Sequence, residues 1–151
     1  MTEGRTTGYG TREDIDRLMD RFRDCTLPYE EWTHEAHLVV GLWFLTRHHL
    51  PGAIPLMRTG IRRYNAACGI VNSDTTGYHE TITCFYLRII QHFLDCQPRD
   101  RPLHILATAL IHSHYASPTL PQEYYSREQL FSTEARHRWV APDRRPMPDT
   151  P

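Results

Sequence analysis

The sequence predicts an all-α protein, an antiparallel bundle of about five helices followed by an irregular, proline-rich C-terminal tail. Apolar residues recur every three or four positions in five segments. The 151 residues include only four valines, and no segment alternates apolar and polar residues as a strand would. After residue 116, prolines and charged residues replace the helical pattern. The chain length fits one domain, with a core at 11–116 and a wrapping tail at 117–151.

Local signals place the helices along the chain. Thr11 and Thr33 are suitable N-caps for the first two, and Gly69 is suited to the left-handed end of the third. Pro51 and Gly52 separate the second helix from the third, and residues 69–77 form a loop. The tail contains one short helix at 126–131. The predicted helices span about 11–24, 33–49, 53–68, 78–95 and 100–115.

Charge and composition exclude several classes of function. The formal net charge is −1, so neither nucleic acid nor a membrane surface is an expected partner, and a small-molecule ligand is expected instead. All 17 basic residues are arginine. Without lysine, pyridoxal-phosphate chemistry and a Walker-type nucleotide loop are excluded. Four cysteines without C-x-x-C spacing and an N-terminus without an apolar segment predict a cytoplasmic protein with free thiols.

Three histidines are expected to meet at one end of the bundle. Helical phase puts His34, His37 and His79 on apolar faces, near the N-termini of the second and fourth helices. Short connections make successive helices antiparallel, so these two N-termini lie at the same end. The C-terminus of the fifth helix brings His114 toward the same place.

This histidine set suits a divalent transition metal, zinc or iron, because neutral imidazoles can bind the ion and leave positions open for substrate. Glu80 and Tyr78 are the predicted catalytic residues, with Glu80 as a general base or a partner of a ligand histidine. A metal-free site with one histidine as the base remains open, and each histidine could instead be a helix cap or a satisfied polar group.

Residues near the same end are candidates for substrate binding. Four are predicted to line the site, whereas Arg58 and Arg62 fall on the outer face of the third helix and are expected to be solvated. The loop that precedes the fourth helix either caps that helix or contacts the substrate. The four predicted substrate-binding residues are Arg63, Tyr64, Asn65 and Asn72.

Several segments resemble a bacterial family of small hypothetical proteins that carry LPxxEWTHEAHL and GYHETIT motifs. The matching segments are 27–38 (LPYEEWTHEAHL), 60–65 (GIRRYN), 77–83 (GYHETIT), 132–136 (STEAR) and 139–143 (WVAPD). The resemblance implies that these segments belong together, and it implies no reaction.

The residues themselves, apart from the resemblance, predict a small helical, metal-dependent enzyme. It would act on a small polar or anionic molecule through the histidine site, by hydrolysis, elimination or oxygen-dependent chemistry. Two alternatives stay open: a non-enzymatic protein that binds a small ligand or a metal in the same pocket, and a helical interaction module.

Overall fold

A computed structural model describes residues 8–148, and every regular element in that range is helical. This confirms the predicted all-α fold. Short 3₁₀ turns cover Tyr29–Glu31 and His114–Ala116. None of the helices in the described range has the length and apolar character needed to cross a bilayer. The helices are α1 (Arg12–Arg23), α2 (His34–Arg47), α3 (Leu50–Ala67), α4 (Glu80–Asp95), α5 (Leu103–Ile111), α6 (Pro121–Tyr124), α7 (Arg127–Leu130) and α8 (Thr133–His137).

The helix ends follow the predicted capping chemistry in three places. The side chain of Thr11 accepts a hydrogen bond from the Asp14 amide, and that of Thr33 accepts one from the Ala36 amide, both at 3.1 Å. These bonds satisfy amides that have no partner inside the helix. At the end of α3, Gly69 has a φ of +78°, the left-handed conformation that glycine adopts without strain.

Helix α3 begins three residues earlier than predicted, at Leu50. Pro51 lies in its first turn, where a missing amide hydrogen removes no intrahelical bond, so this proline does not separate two helices. The sequence predicts one short helix in the tail, at 126–131, whereas the described part of the tail, 117–148, contains three, because Leu120 and Ser132 cap two more turns.

Helix α2 lies in the middle of the bundle, with nine of its 14 residues buried. Each fully buried aliphatic side chain contributes roughly 1.5–3 kcal/mol to stability. A Cβ at Gly41 would lie 3.1 Å from Ile90, while the ring centroid of His34 lies 5.1 Å from that of Tyr86. The earlier residue of α2, His34, lies beside the earlier residue of α4, Tyr86, and the later residue Gly41 lies beside the later residue Ile90. The two helices therefore run in the same direction, as predicted.

The tail packs on α4 and forms a second, smaller apolar cluster. The rings of Tyr124 and Tyr125 stand edge-on to Phe85 at centroid distances of 5.1 and 6.1 Å, and Leu130 joins them. The hydroxyl of Tyr125 donates to the carbonyl of Val140 at 2.6 Å. This packing brings α8 beside the N-terminal half of α4, where it completes a cleft.

Candidate functional site

The residues predicted to form one site lie in two separate places. Tyr78, Glu80 and Asn72 line a polar cleft between α3, α4 and α8, with a volume of about 310 Å³. His34 and His37 line an apolar cavity between α2, α3 and α4, also of about 310 Å³. The predicted single histidine and carboxylate site is therefore divided between two cavities.

The polar cleft is rich in arginine, and we call it the arginine cleft. Its wall carries four guanidinium groups and one carboxylate, so its net charge is +3 with histidine neutral. Three helices, the loop before α4 and the segment after α8 contribute residues to it. The lining residues are Arg58, Arg62, Asn72, Ser73, Tyr78, Glu80, Arg136, His137, Arg138 and Trp139.

A two-point ion pair joins the two helices at the floor of this cleft. Nε and Nη2 of Arg58 donate to the two carboxylate oxygens of Glu80 at 2.9 and 2.7 Å. The Glu80 side chain is 11% exposed, and that of Arg58 is 37% exposed. The sequence predicts a solvated Arg58 on the outer face of α3. Its side chain is partly exposed there, but the N-terminus of α4 covers part of this face and supplies Glu80 as a partner.

Two further groups donate to the same carboxylate. The hydroxyl of Tyr78 lies 2.7 Å from Oε1 of Glu80, and Sγ of Cys84 lies 3.3 Å from Oε2. Burial would raise the pKa of Glu80, but the hydrogen bonds from Arg58, Tyr78 and Cys84 outweigh it and lower the pKa. A carboxylate held in this way is a weak proton acceptor, so the geometry gives Glu80 a positioning role and does not favour a general base.

The protonation state of Tyr78 follows from the same contacts. Burial and the neighbouring negative charge of Glu80 both raise the pKa of Tyr78, so its phenol stays protonated and acts as a donor. The Arg58 guanidinium is held charged, since its hydrogen bonds to Glu80 raise its pKa. Together these groups fix the charge of the cleft floor across the neutral pH range.

The loop before α4 is closed on itself by an asparagine. Oδ1 of Asn72 accepts from Nδ2 of Asn65 at 3.1 Å and from the amide of Tyr78 at 3.0 Å. Gly77 has a φ of +80°, and a Cβ there would lie 2.5 Å from the carbonyl oxygen of Val71. Of the two predicted ligand-binding asparagines, Asn72 therefore lines the cleft and Asn65 supports it from behind.

A tail arginine ties this loop to α8. Nη1 of Arg136 donates to the carbonyls of Gly77 and Tyr78 at 3.0 and 3.3 Å. Nε2 of His137 lies 2.6 Å from a carboxylate oxygen of Asp74. Such contacts hold the arginine in place before any ligand arrives, which lowers the entropic cost of binding.

Two more of the predicted substrate-binding residues, like Asn65, do not line the cleft. Nη2 of Arg63 donates to the carbonyl of Arg23 at 3.2 Å, on the α1 side of α3. Tyr64 is fully buried, and its hydroxyl donates to the carbonyl of Leu27 at 2.7 Å. Burial raises the pKa of Tyr64. Both residues connect α3 to its neighbours and lie away from the arginine cleft.

His79 is the N-cap of α4 and not a residue of the helix. Its backbone is extended, with φ −130° and ψ 108°, so the helical phase that pointed it at the other histidines does not apply. Its Nδ1 accepts from the amide of Ile82 at 3.1 Å, and its Nε2 donates to the carbonyl of Leu130 at 2.9 Å. Both ring nitrogens are occupied, and burial lowers the pKa of His79. It fastens the tail to α4.

Within residues 8–148, no three side chains of histidine, cysteine, aspartate or glutamate come together as a metal-binding group. His34 and His37 are neighbours on α2, but His79 is committed elsewhere. The structure does not bring the three predicted ligands together, and a zinc or iron ion stays an expectation from the sequence alone. His114 lies in the 3₁₀ turn after α5 and lines neither cavity among the described residues.

Sequence reasoning missed the tail residues that complete the arginine cleft. Arg136, Arg138 and Trp139 lie more than 50 residues after α4 begins, so no local spacing relates them to Glu80. The signal that was present is the run Arg136-His137-Arg138, which has arginines two apart and lies at the end of a short helix capped by Ser132.

Comparisons with family models, with curated proteins and with solved structures find no match to this chain. The site must therefore be interpreted from its own chemistry.

Proposed function

We propose that this protein binds a small dianion in the arginine cleft. The observation that carries the proposal is the concentration of four arginines around one carboxylate in a cleft of about 310 Å³. Guanidinium groups present paired N–H donors that match the oxygens of phosphate and carboxylate groups. The proposal follows the ligand-binding alternative and does not require an enzyme.

The charge balance within the cleft supports an added anion. Arg58 is already neutralised by Glu80, and Arg136 is held by two carbonyls. Within the described range, Arg62 makes one hydrogen bond outside its helix, and there its main-chain carbonyl accepts from Nδ2 of Asn72. That bond does not involve its guanidinium group. Arg138 is 3.8 Å from an exposed Glu134 carboxylate, a contact of little energetic value. Arg62 and Arg138 are therefore the groups that an anion would pair with.

The alignment of α4 adds to this preference. Its first residue, Glu80, lies in the cleft wall, so the N-terminus of α4, which is the positive end of the helix dipole, borders the cleft. The cleft is partly open to water, so each contact is weaker than it would be in a sealed site. We expect an affinity in the range of metabolite binding and a clear decrease with added salt.

The test is a calorimetric titration of the protein with inorganic phosphate and with succinate. The affinity for each is compared with the affinity for acetate, a monoanion. Arg62→Ala should weaken phosphate binding about tenfold, the effect of losing one charge-assisted hydrogen-bond pair. Arg99→Ala is the matched control, since it removes the same charge from an exposed position outside the cleft.

The proposal predicts that both dianions bind more tightly than acetate and that Arg99→Ala leaves the affinities unchanged within twofold. Equal weakening by Arg62→Ala and Arg99→Ala would mean that only the overall charge matters. No heat with either dianion at millimolar concentration would refute a binding site for this class of ligand.

A further inference from the structure

The apolar cavity beside α2 is separate from the arginine cleft, and its lining has a different chemistry. Its volume is about 310 Å³, near the lower end of small-molecule binding sites. Most of the wall is aliphatic, with Leu38, Met57, Ile61 and Ile90 among its residues. No arginine, aspartate or glutamate of the described range lines it. A charged ligand would lose its hydration here without compensation, so the cavity selects against one.

Two histidines one turn apart form the polar end of this cavity. Nε2 of His34 donates to the carbonyl of Ala116 at 3.0 Å, so its Nδ1 keeps a lone pair. Nδ1 of His37 donates to the carbonyl of Thr33 at 2.7 Å, so its Nε2 keeps a lone pair. The backbone thereby fixes both tautomers, and each ring is left with one hydrogen-bond acceptor.

Two other polar side chains, Thr83 and Tyr86, line this cavity, and Thr83 adds one neutral hydroxyl to its wall. The hydroxyl of Tyr86 already donates to the carbonyl of Ser117 at 2.6 Å, and its ring stands edge-on to His34. The ring of His37 stacks on Trp32 with a centroid distance of 3.8 Å, which holds its orientation. Burial lowers the pKa of both His34 and His37, so the two rings are neutral at pH 7.

A glycine on the cavity wall lets α2 approach the side chains of α4 that line the same cavity. A Cβ at Gly41 would lie 3.1 Å from Cδ1 of Ile90, 3.3 Å from Cδ2 of Leu87 and 4.0 Å from Cε of Met57. Glycine inside a helix is less stable than alanine by about 1 kcal/mol. A side chain at this position would therefore add helix stability but would take space from the cavity and crowd its aliphatic wall.

We propose that this cavity is a second ligand site, for a small uncharged apolar molecule with one hydroxyl or N–H group that donates to His34 or His37. The aliphatic wall would hold the body of the ligand, and an imidazole nitrogen would accept its single donor. Alkylphenols and indoles have this chemistry, and a phenol stays uncharged at pH 7.

Two probes of nearly equal shape test the proposal, 4-propylphenol and propylbenzene, which differ in the hydroxyl group. Binding is followed by methyl NMR shifts of Met57, Ile61 and Ile90 at pH 7, with each probe titrated to its solubility limit. We expect saturable shifts with 4-propylphenol and about fivefold weaker binding of propylbenzene, the effect of one hydrogen bond.

Two variants separate the body of the site from its polar end. Gly41→Ala should weaken both probes, and its new methyl group meets only the flexible ends of aliphatic side chains, so the fold is expected to survive. In the double variant His34→Leu/His37→Leu, the affinity for 4-propylphenol should fall to that for propylbenzene. The amide NMR spectrum of each variant checks folding, and phosphate titrated into it checks the arginine cleft separately.

Three results would overturn the proposal. Methyl shifts that are absent or do not saturate with 4-propylphenol would show that the cavity takes no such ligand. Equal affinities of the two probes for the unmodified protein would remove the role of the histidines. Unchanged binding in Gly41→Ala would place the probes elsewhere on the protein.

Discussion

Replacing Glu80 with glutamine is expected to lower the free energy of unfolding by about 2 kcal/mol at pH 7. The change removes the negative charge from a carboxylate that accepts from Arg58, Tyr78 and Cys84. Removing one partner of a buried ion pair typically costs about 3–5 kcal/mol. The side chain of Arg58 is 37% exposed, so water compensates part of that loss here.

The measurement is urea denaturation of the variant and of a matched control, Glu134→Gln. Glu134 also pairs with an arginine, but at 3.8 Å and with both side chains more than half exposed. We expect the control to change stability by less than about 0.5 kcal/mol. If both variants lose the same small amount, Glu80 does not hold the cleft floor together.

Glu80→Gln also distinguishes the two roles of this carboxylate. A general base would be replaced with little loss of stability, because glutamine keeps the shape and one acceptor oxygen. If the carboxylate instead positions Arg58, its removal should lower the free energy of unfolding. The affinity for phosphate should not fall, because the cleft becomes more positive. The four donors around Glu80 favour the second outcome.

Acid is expected to destabilise the fold well above the pH at which carboxylates titrate. Burial lowers the pKa of His37 to about 4, from about 6.5 in the unfolded chain. As the pH falls below 6.5, the unfolded chain binds this proton and the folded chain does not. The stability that neutral His37 contributes is therefore present above pH 6.5 and is lost as the pH falls toward 4.

The expected loss from His37 is about 2 kcal/mol between pH 7 and pH 5. His34 and His79 add to it with the same sign, because burial lowers the pKa of both. Glu80 has a lowered pKa as well, but an acidic group acts in a lower window, below its unfolded value near 4.5. The decline between pH 7 and pH 5 therefore belongs to the histidines.

Urea denaturation at pH 7, 6 and 5 measures this decline. His37→Phe should flatten the profile by about half or more, since phenylalanine cannot be protonated and can still stack on Trp32. His49→Gln, at an exposed position whose side chain makes no capping bond, should leave the profile unchanged. Parallel profiles for His37→Phe and the unmodified protein would show that His37 is not buried as described.

The features that the sequence predicts well are those set by neighbours along the chain. Thr11 and Thr33 cap their helices because each needs only an amide three residues away. The direction of α2 relative to α4 followed from short connections, and the pairs His34 with Tyr86 and Gly41 with Ile90 agree with it. The helical fold and its order needed no information from distant residues.

The sequence predicts poorly the features that depend on where exactly a helix begins and on contacts between residues that are far apart in the chain. His79 was assigned a helical phase, but as an N-cap its side chain turns back to the Ile82 amide. Arg58 was assigned to solvent because its partner, Glu80, comes from another helix. Arg136 reaches the loop near Gly77 from 59 residues away. The spacing of apolar residues along the chain gives no information about such pairs.

Side-chain NMR of the arginine Nε–H groups can detect a small dianion bound in the arginine cleft. Inorganic phosphate is titrated into the protein at pH 7 and low salt, and each arginine signal is followed. We expect saturable shifts with one shared dissociation constant at Arg58, Arg62, Arg136 and Arg138, and almost none at Arg99. Shifts of similar size at Arg99 and at the four cleft arginines, or no saturation at any of them, would contradict binding of phosphate in the cleft.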